Sequence, residues 1–450
     1  MFKPAIPTLQ KGTFHIAHWG CQMNVYDAMR LSDLMVSHGY VESSPENASV
    51  IILITCAVRA KAEDKVFNQI LSWQHAGIVR DDTLIALGGC VGAELGQALI
   101  KENPRLNIVF SPRTAHRLPA LIEKFKATGR NLVDVEAQGL EKFDFLPLES
   151  APALSSFVTI MEGCSNKCTY CIVPYTRGPE ISRPVKDILT EARHCLEHGA
   201  REIHLLGQNV NSFCGEDTDG TTASFASLLY EVAALPGIER LRFTTSNPMD
   251  FTDDIVTAIR DLEVIADHVH VPIQSGSNRI LELMHRRYTR DAYLRLTDRL
   301  YAARDGISLS SDFIVGFPGE NEQDFEDTLD IVRRVHFDQS FSFIYSKRPG
   351  TPAAALPDET PLEVKKERLY RLQELLDTSA RECTEALVGS VQHCLVEGIS
   401  RKDAGELKAR ASNNHVVVFE GSPELIGTMV KVRITESIAH TLRGEAVYED

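Results

Sequence analysis

The sequence predicts an α/β protein in three parts: an open parallel α/β sheet over 1–142, a longer parallel αβ series over 150–385, and a small β-barrel over 386–450. Three observations predict it. Short apolar runs alternate with amphipathic helical stretches through most of the chain, the pattern of βα units. A stretch near 143–156, FDFLPLESAPALSS, is rich in Pro, Ser and acid and reads as a linker. From about residue 389 the pattern changes to short β-like runs broken by polar turns.

In the first part, TFHIAHW (Thr13–Trp19) predicts a strand, and Gly20-Cys21 ends it. A helix follows and is stopped by Gly39. VIILIT (Val50–Thr55) predicts a buried strand ending at Cys56, and a helix is expected from about Ala60 to His75. TLIALGG (Thr83–Gly89) predicts a third strand, ending at Cys90. Three cysteines thus follow three strands, at steps of 35 and 34 residues. Strand C-termini of a parallel sheet share one edge, and ligands bind there. Cys21, Cys56 and Cys90 therefore form a candidate three-thiolate site, with buried core cysteines as the plain alternative.

The second series begins at FVTIM (Phe157–Met161). It continues with EIHLL (Glu202–Leu206), RLRFTT (Arg240–Thr245), HVHV (His268–Val271), SLSSDFIVG (Ser308–Gly316) and SFSFI (Ser340–Ile344). Six strands with helical crossovers make a parallel sheet, open or curled into a partial barrel. Four prolines, Pro349, Pro352, Pro357 and Pro361, mark the next linker, and a charged amphipathic helix is expected from about Leu362 to Leu387. The closing runs VQHCLVEGI, HVVVFEG, TMVKVRITES and TLRGEAVYE fit a small barrel.

Composition bounds the chemistry. The chain has 450 residues, 43% apolar and 24% charged, with net charge −15. That charge argues against a nucleic-acid binder dominated by electrostatics, without excluding a local basic patch. No apolar run approaches the length of a membrane span and the start lacks a signal-peptide core, so a cytoplasmic protein without membrane contact is expected. In a reducing compartment, clustered cysteines point to metal or redox chemistry rather than disulfides.

The sharpest cluster is Cys164-Ser165-Asn166-Lys167-Cys168-Thr169-Tyr170-Cys171, with C-x3-C-x2-C spacing. Chance predicts on the order of 0.005 such triplets in a chain of this cysteine content. Three thiolates on a cubane cluster leave one iron open, and an open metal position is what a catalytic site needs. A zinc knuckle is the alternative; it would want a fourth ligand, for which His194 and Cys195 are the next candidates. Cys195, Cys214, Cys383 and Cys394 read as structural or incidental.

The run MEGCSNKCTYCIVPYTRGPEISRP resembles the cluster loop of radical S-adenosylmethionine enzymes, specifically the methylthiotransferases. WGCQMNVYDAMR, ITCAVRAKAEDKV and GGCV resemble that family's three N-terminal cysteine motifs. LLGQNVN, RFTTSNP, PIQSGSNRIL, SSDFIVGFPGE and FSFIYSKRPGTPAA continue the match, and the end is similar to a TRAM domain. The GCQMN motif and the AVRAKAEDKVF and FDQSFSFIYSKRPGTPAA runs are most similar to the MiaB type. Ile54, Ser165 and Asn247 depart from the usual Asn, Asn and His, and none of them is a ligand.

The resemblance implies a central radical-SAM (β/α)6 partial barrel and two 4Fe-4S clusters. One would be held by Cys164, Cys168 and Cys171 and bind S-adenosylmethionine; the auxiliary one would be held by Cys21, Cys56 and Cys90 and deliver sulfur. It implies a substrate, N6-isopentenyladenosine at tRNA position 37, converted to its 2-methylthio form with two S-adenosylmethionine molecules per turnover. An electron donor (flavodoxin-like or ferredoxin-like) and a sulfur source would be partners. Gln208, Asn209, Arg183, Gln274 and Ser275 are candidate S-adenosylmethionine contacts, and Tyr170 and Ile172 candidate shields of the cluster. Arg286, Arg287 and Arg290 on one face, and Lys365, Lys366 and Arg368 on another, are candidate RNA contacts, with solvated helix faces as the plain alternative. Rival readings are a ribosomal-protein aspartate methylthiotransferase, an enzyme for threonylcarbamoyl adenosine, and a non-catalytic RNA-binding iron–sulfur protein.

Overall fold

The computed structural model describes residues 11–57, 61–136, 143, 153–438 and 441–448, with the side chains of 61–64 left out. It divides into two compact units: residues 1–150 with 161–167 and 171–183, and residues 151–160 with 168–170 and 184–450. Most of the expected 143–156 linker lies outside the described residues, and the first core strand begins inside it, at Ser155.

The first unit is built on six parallel strands: β1 (Gly12–Trp19), β2 (Tyr40–Glu42), β3 (Val50–Thr55), β4 (Leu84–Gly89), β5 (Ile108–Phe110) and β6 (Leu132–Asp134). Their order across the sheet is β2-β1-β3-β4-β5-β6. The direction of strand addition reverses between β1 and β3, so the crevice beyond their C-terminal ends is a topological switch point. Every residue of β3 and β4 is buried. Val50, Ile52 and Ile54 join one apolar layer with Phe14, Leu34 and Phe110, while Ile51 and Leu53 join the other with Val66, Ile70 and Leu99. Helices on both faces explain why β3 reads as a continuous apolar run rather than an alternating one.

The second unit carries the six expected core strands. Ser155–Thr159, Glu202–Leu206 and Arg240–Phe243 form one parallel sheet. A parallel bridge from Leu241 to Ile265 leads on towards His268–His270, which pairs with Ser308–Ser310. The expected strand Ser308–Gly316 is split at Ser311: its second half, Asp312–Val315, pairs with Phe341–Ile344. The strands therefore follow chain order around a curved α/β wall. Among the described residues, no pairing joins the first strand to the sixth, so the wall is an open partial barrel.

Alternate residues of the first three core strands divide by face. Ile203, Leu205, Leu241 and Phe243 are apolar and buried; Glu202, His204, Arg240 and Arg242 occupy the other face and are buried too. That polar face seats the terminal barrel, a closed five-stranded structure of Val391–Ile399, Glu406–Ala411, Val416–Glu420, Thr441–Ala446 and Met429–Ile438. Arg240 donates to the carbonyls of Arg410 (2.9 Å) and His393 (2.8 Å), and Arg242 to those of Ser412 (2.9 Å) and Ala411 (2.8 Å). Glu202 lies between the two guanidiniums, accepting from Arg242 Nε at 2.8 Å and Arg240 Nη1 at 3.3 Å. A second tie, His415 Nε2 to Asp338 at 2.6 Å, is also buried. Among the described residues, no helix is long and apolar enough to cross a membrane.

Candidate metal centres and cofactor pocket

Cys21 and Cys56 sit at the switch point of the first sheet, directly after β1 and β3, and Cys90 follows β4 and opens the helix Cys90–Leu95. Cys21 is the N-cap of the helix Gln22–Ser37. Gly20, at φ 121°, lets the chain pass Cys56; a Cβ there would collide with the Cys56 side chain. The Cys21 thiol is held at about 6, below the ordinary cysteine range, chiefly by its hydrogen bond with Cys56; desolvation opposes the shift and the nearby Arg177 cation assists it. A thiolate is the metal-binding form of cysteine, so this environment favours ligation.

Arg177 is the residue that the cysteine spacing could not reveal. Its guanidinium is 2% exposed and donates to Asp27 Oδ2 and Glu162 Oε1, both at 2.7 Å. Its charge also acts on Cys90 and Cys21. Burial works against the cation, but these anions outweigh it and hold Arg177 charged. Glu162 immediately precedes Gly163 and Cys164, so one buried cation is shared by the start of the C-x3-C-x2-C loop and the three-cysteine site. The only sequence signal is that Arg177 lies in the same run as the cysteine triplet.

The loop itself is held at several points. Met161 and Glu162 pair with Ser182 and Ile181, and the Cys164 amide donates to Gly178 O at 3.2 Å. Gly163, at φ 82°, brings the backbone against the Gly178 and Pro179 carbonyls, where a Cβ would clash. In the second unit, Thr169 N donates to Met284 O (3.0 Å), Thr169 Oγ1 to Leu283 O (2.8 Å) and Ala353 N to Thr169 O (2.9 Å). Tyr170 packs on an apolar cluster of Ile280, Met284, Phe317, Tyr345 and Ala353. Ile172 is buried with Cys90 and Val91 in the first unit.

Arg286 corrects the RNA-face expectation. It is desolvated, and its Nη1 donates to Cys168 Sγ at 3.5 Å, its Nε to Tyr288 Oη at 2.8 Å and its Nη2 to Pro272 O at 3.1 Å. Its donors are turned to the Cys168 thiol, Tyr288 and a carbonyl, not to solvent. Arg290 is ion-paired with Asp330 and Asp327. Lys365 is buried with Nζ 2.6 Å from Asp358, and Arg368 is buried against Glu320 at 2.9 Å. The charges of these four are therefore engaged within the protein. Arg287 is exposed, and Lys366 is partly exposed with Nζ 2.8 Å from Glu363.

The cofactor candidates divide similarly. Gln208 is half-buried at the end of Glu202–Leu206. Asn209 is buried; its Nδ2 donates to Asp250 at 2.7 Å, while its Oδ1 has no partner. Ser246 Oγ, at the end of the next strand, is likewise buried and unpartnered. Thr245 (φ 71°) and Gln274 (φ 73°) adopt left-handed backbone, which a non-glycine residue rarely takes away from functional sites. Ser275 departs from expectation: it has no exposed surface, and its hydroxyl is engaged by Thr328 Oγ1 and the Ser277 amide, so it positions the loop. Arg183 belongs to the first unit, buried with its guanidinium 4.4 Å over the Phe143 ring. Asn247 caps the turn Pro248–Asp250 and pairs twice with Asn211, at 2.7 and 2.8 Å.

None of the ten cysteines is joined in a disulfide. Among the described residues, no three His, Cys, Asp or Glu side chains converge on a point that would hold a single ion. A cubane asks for something else: its thiolates bind separate irons. His194, one of the two zinc candidates, has its ring 4.2 Å from that of His198. The lowered Cys21 thiol, the donor at Cys168 and the unpartnered polar atoms at the core-strand ends fit thiolate-ligated clusters and a polar cofactor.

The comparisons with known proteins agree with this arrangement. The chain matches the Radical SAM superfamily over residues 158–332, the TRAM domain over 385–447 and an uncharacterised protein family, UPF0004, over 13–111. It is 51% identical to a tRNA-2-methylthio-N(6)-dimethylallyladenosine synthase of Alkalilimnicola ehrlichii, covering 96% of this chain and 97% of that one. It is 49% identical to the protein of that name from Methylococcus capsulatus, over 96% and 95%. The chain belongs to the tRNA-2-methylthio-N(6)-dimethylallyladenosine synthase family. Among solved structures it resembles TsrM, a radical S-adenosylmethionine methyltransferase from Kitasatospora setae with cobalamin and a [4Fe-4S] cluster bound (TM-score 0.55, 14% identity, 76% of this chain and 74% of that one). It also resembles the cobalamin-dependent radical enzyme OxsB (TM-score 0.52, 14% identity, 82% and 56%). At such identity these two share the fold. As a member of this radical family the chain uses S-adenosylmethionine and an iron–sulfur cluster.

Proposed function

We propose that the chain catalyses the reaction for which its relatives are named: sulfur insertion at C2 of N6-isopentenyladenosine in tRNA, followed by S-methylation. The observation that carries this reading is the pairing of two three-cysteine sets on a chain about half identical to the named relatives over 96% of its length. Cys164, Cys168 and Cys171 would hold the cluster that binds S-adenosylmethionine, and Cys21, Cys56 and Cys90 a second, auxiliary one. When bound, these groups supply reductive cleavage of S-adenosylmethionine, hydrogen abstraction and sulfur, chemistry that no side chain can perform.

The chain's own residues bind, orient and tune. Arg177 supports the thiolate form of Cys21, and Asp27 and Glu162 fix its position. Arg286 donates to the Cys168 thiol, a contact that would raise the potential of a cluster held there by stabilising its reduced form. Gln208, Asn209 and Gln274, on core-strand ends, would receive the polar parts of S-adenosylmethionine. An electron donor and a sulfur source complete the reaction.

Nucleoside mass spectrometry of tRNA from a host lacking its own methylthiotransferase tests the reading. The 2-methylthio nucleoside should appear with this chain and vanish with Cys164→Ala or Cys56→Ala. Only the isopentenyl nucleoside, with soluble cluster-loaded protein present, would refute it and favour the ribosomal-protein reading.

A further inference from the structure

The sixth core strand, Phe341–Ile344, presents two large aromatics to solvent: Phe341 is 54% exposed and Phe343 42%. Their direction follows from register. In a parallel pair, residues opposite each other point to the same face, and Phe341 lies opposite Asp312 while Phe343 lies opposite Ile314. The intervening Phe313 and Val315 are buried, and Phe313 meets Phe337 edge to face at 5.3 Å. Phe341 and Phe343 therefore share the face of Asp312 and Ile314, opposite to the one that carries Phe313 and Val315.

Two neighbours show what that face is for. Ile314 packs on the apolar cluster of Tyr345, Phe317 and Met284 that also supports Tyr170, between Cys168 and Cys171. The His270 imidazole lies 3.4 Å from Asp312. The aromatics thus continue the wall that begins beneath the cysteine loop, on the last strand at the open side of the barrel. The chain beyond the strand then offers Lys347, exposed, shortly before the Pro349-Gly350 turn. Two exposed aromatics followed by an exposed cation, on a chain with net charge −15, fit an unpaired nucleic-acid strand: rings for the bases, the cation for a phosphate. The two Cα atoms are about 7 Å apart along the strand, so each ring offers its own face.

We propose that Phe341 and Phe343 form a stacking platform for unpaired bases of the substrate tRNA as they enter the open side of the barrel. This rests on the tRNA methylthiotransferase reading and adds the surface that receives the RNA. Affinity of the full, cluster-loaded chain for a synthetic anticodon stem–loop bearing isopentenyladenosine, measured by fluorescence anisotropy, tests it. Phe341→Ala and Phe343→Ala should each weaken binding by roughly tenfold, and Phe343→Tyr should restore it. Phe343→Leu keeps the apolar bulk but not the π face and should bind as poorly as the alanine variant. Phe343→Trp adds a reporter whose fluorescence, after subtraction of the two native tryptophans, should be quenched on RNA binding. Iron content checks that each variant is folded; should the alanine variants lose it, the leucine and tryptophan variants decide. Wild-type affinity in the alanine and leucine variants, or an unquenched signal from the introduced tryptophan at saturating RNA, overturns the platform and leaves the tRNA reading standing. A wild-type chain that does not bind the stem–loop defeats the tRNA reading itself.

Discussion

Glu202→Gln should destabilise the second unit by about 3 kcal/mol. Glu202 is 2% exposed, accepts from Ser155 Oγ at 2.6 Å and bridges Arg240 and Arg242. Burial alone would raise its pKa, yet Arg242 and Arg240 hold it down at about 2. Against an unfolded value of 4.5, that shift corresponds to about 3 kcal/mol of preference for the charged form. Removing one partner of a buried ion pair costs a similar amount, ~3–5 kcal/mol. The glutamine keeps shape and one acceptor but leaves two buried cations with no anion between them. The assay is urea unfolding at pH 7, where such a loss lowers the midpoint by about 1 M or more. Hydrogen exchange adds location: the strand Glu406–Ala411, whose end receives Arg240 and Arg242, should lose protection first. The native contribution has a depressed pKa, so it is complete above about 4.5 and fades as pH falls towards 2. A midpoint within about 0.3 M of wild type would refute the view that this carboxylate neutralises the clamp.

His204 gives a complementary pH prediction. Burial, aided by Arg242 and opposed by Glu202, lowers its pKa from 6.5 to about 4, so stability should fall as pH drops from about 6.5 to 4; His204→Gln should flatten that slope in pH-dependent unfolding. Cys164→Ala should abolish reductive S-adenosylmethionine cleavage, whereas Cys56→Ala should retain cleavage, lose methylthiolation and give about half the iron; equal iron in both and wild type would contradict two clusters. Gly163→Ala should prevent cluster loading, read by iron content and absorbance, because its Cβ would strike the Gly178 and Pro179 carbonyls. Arg286→Met should move the Cys168 cluster to a more negative potential in an EPR-monitored titration; an unmoved potential would mean that the 3.5 Å contact does not tune it.

The parts of the fold most legible in the sequence are those with strong local signals. Val50–Thr55 is buried on both faces and reads as a pure apolar run, and the cysteine triplet carries its own spacing. β2, β5 and β6 have three residues each, too few for any period to emerge. Glu406–Ala411 escapes sequence reasoning because its inward residues beyond Leu407 are only alanines, Ala409 and Ala411, while Glu, Lys and Arg alternate between them. Arg177 is invisible as a site residue because its partner Asp27 lies 150 residues away and only the folded sheet unites them. Arg286 misleads in the opposite way. Within a basic run it looks like a surface charge, whereas Tyr288 and the Pro272 carbonyl anchor it inside.

The arginine clamp has one more consequence. Arg240 and Arg242 grip His393, Arg410, Ala411 and Ser412 by their carbonyl oxygens, which every residue possesses. These four bonds therefore ask little of the barrel's side chains, and the chief side-chain requirement of the seat is His415, held by Asp338 at 2.6 Å. The outward face can drift, acquire new surface charge or adapt to a different RNA without loosening the joint, provided the backbone path is kept. The terminal barrel is in this sense an interchangeable fitting, and a related barrel grafted at Gly389 that keeps a histidine at the place of His415 should dock in the same socket with its own surface chemistry intact.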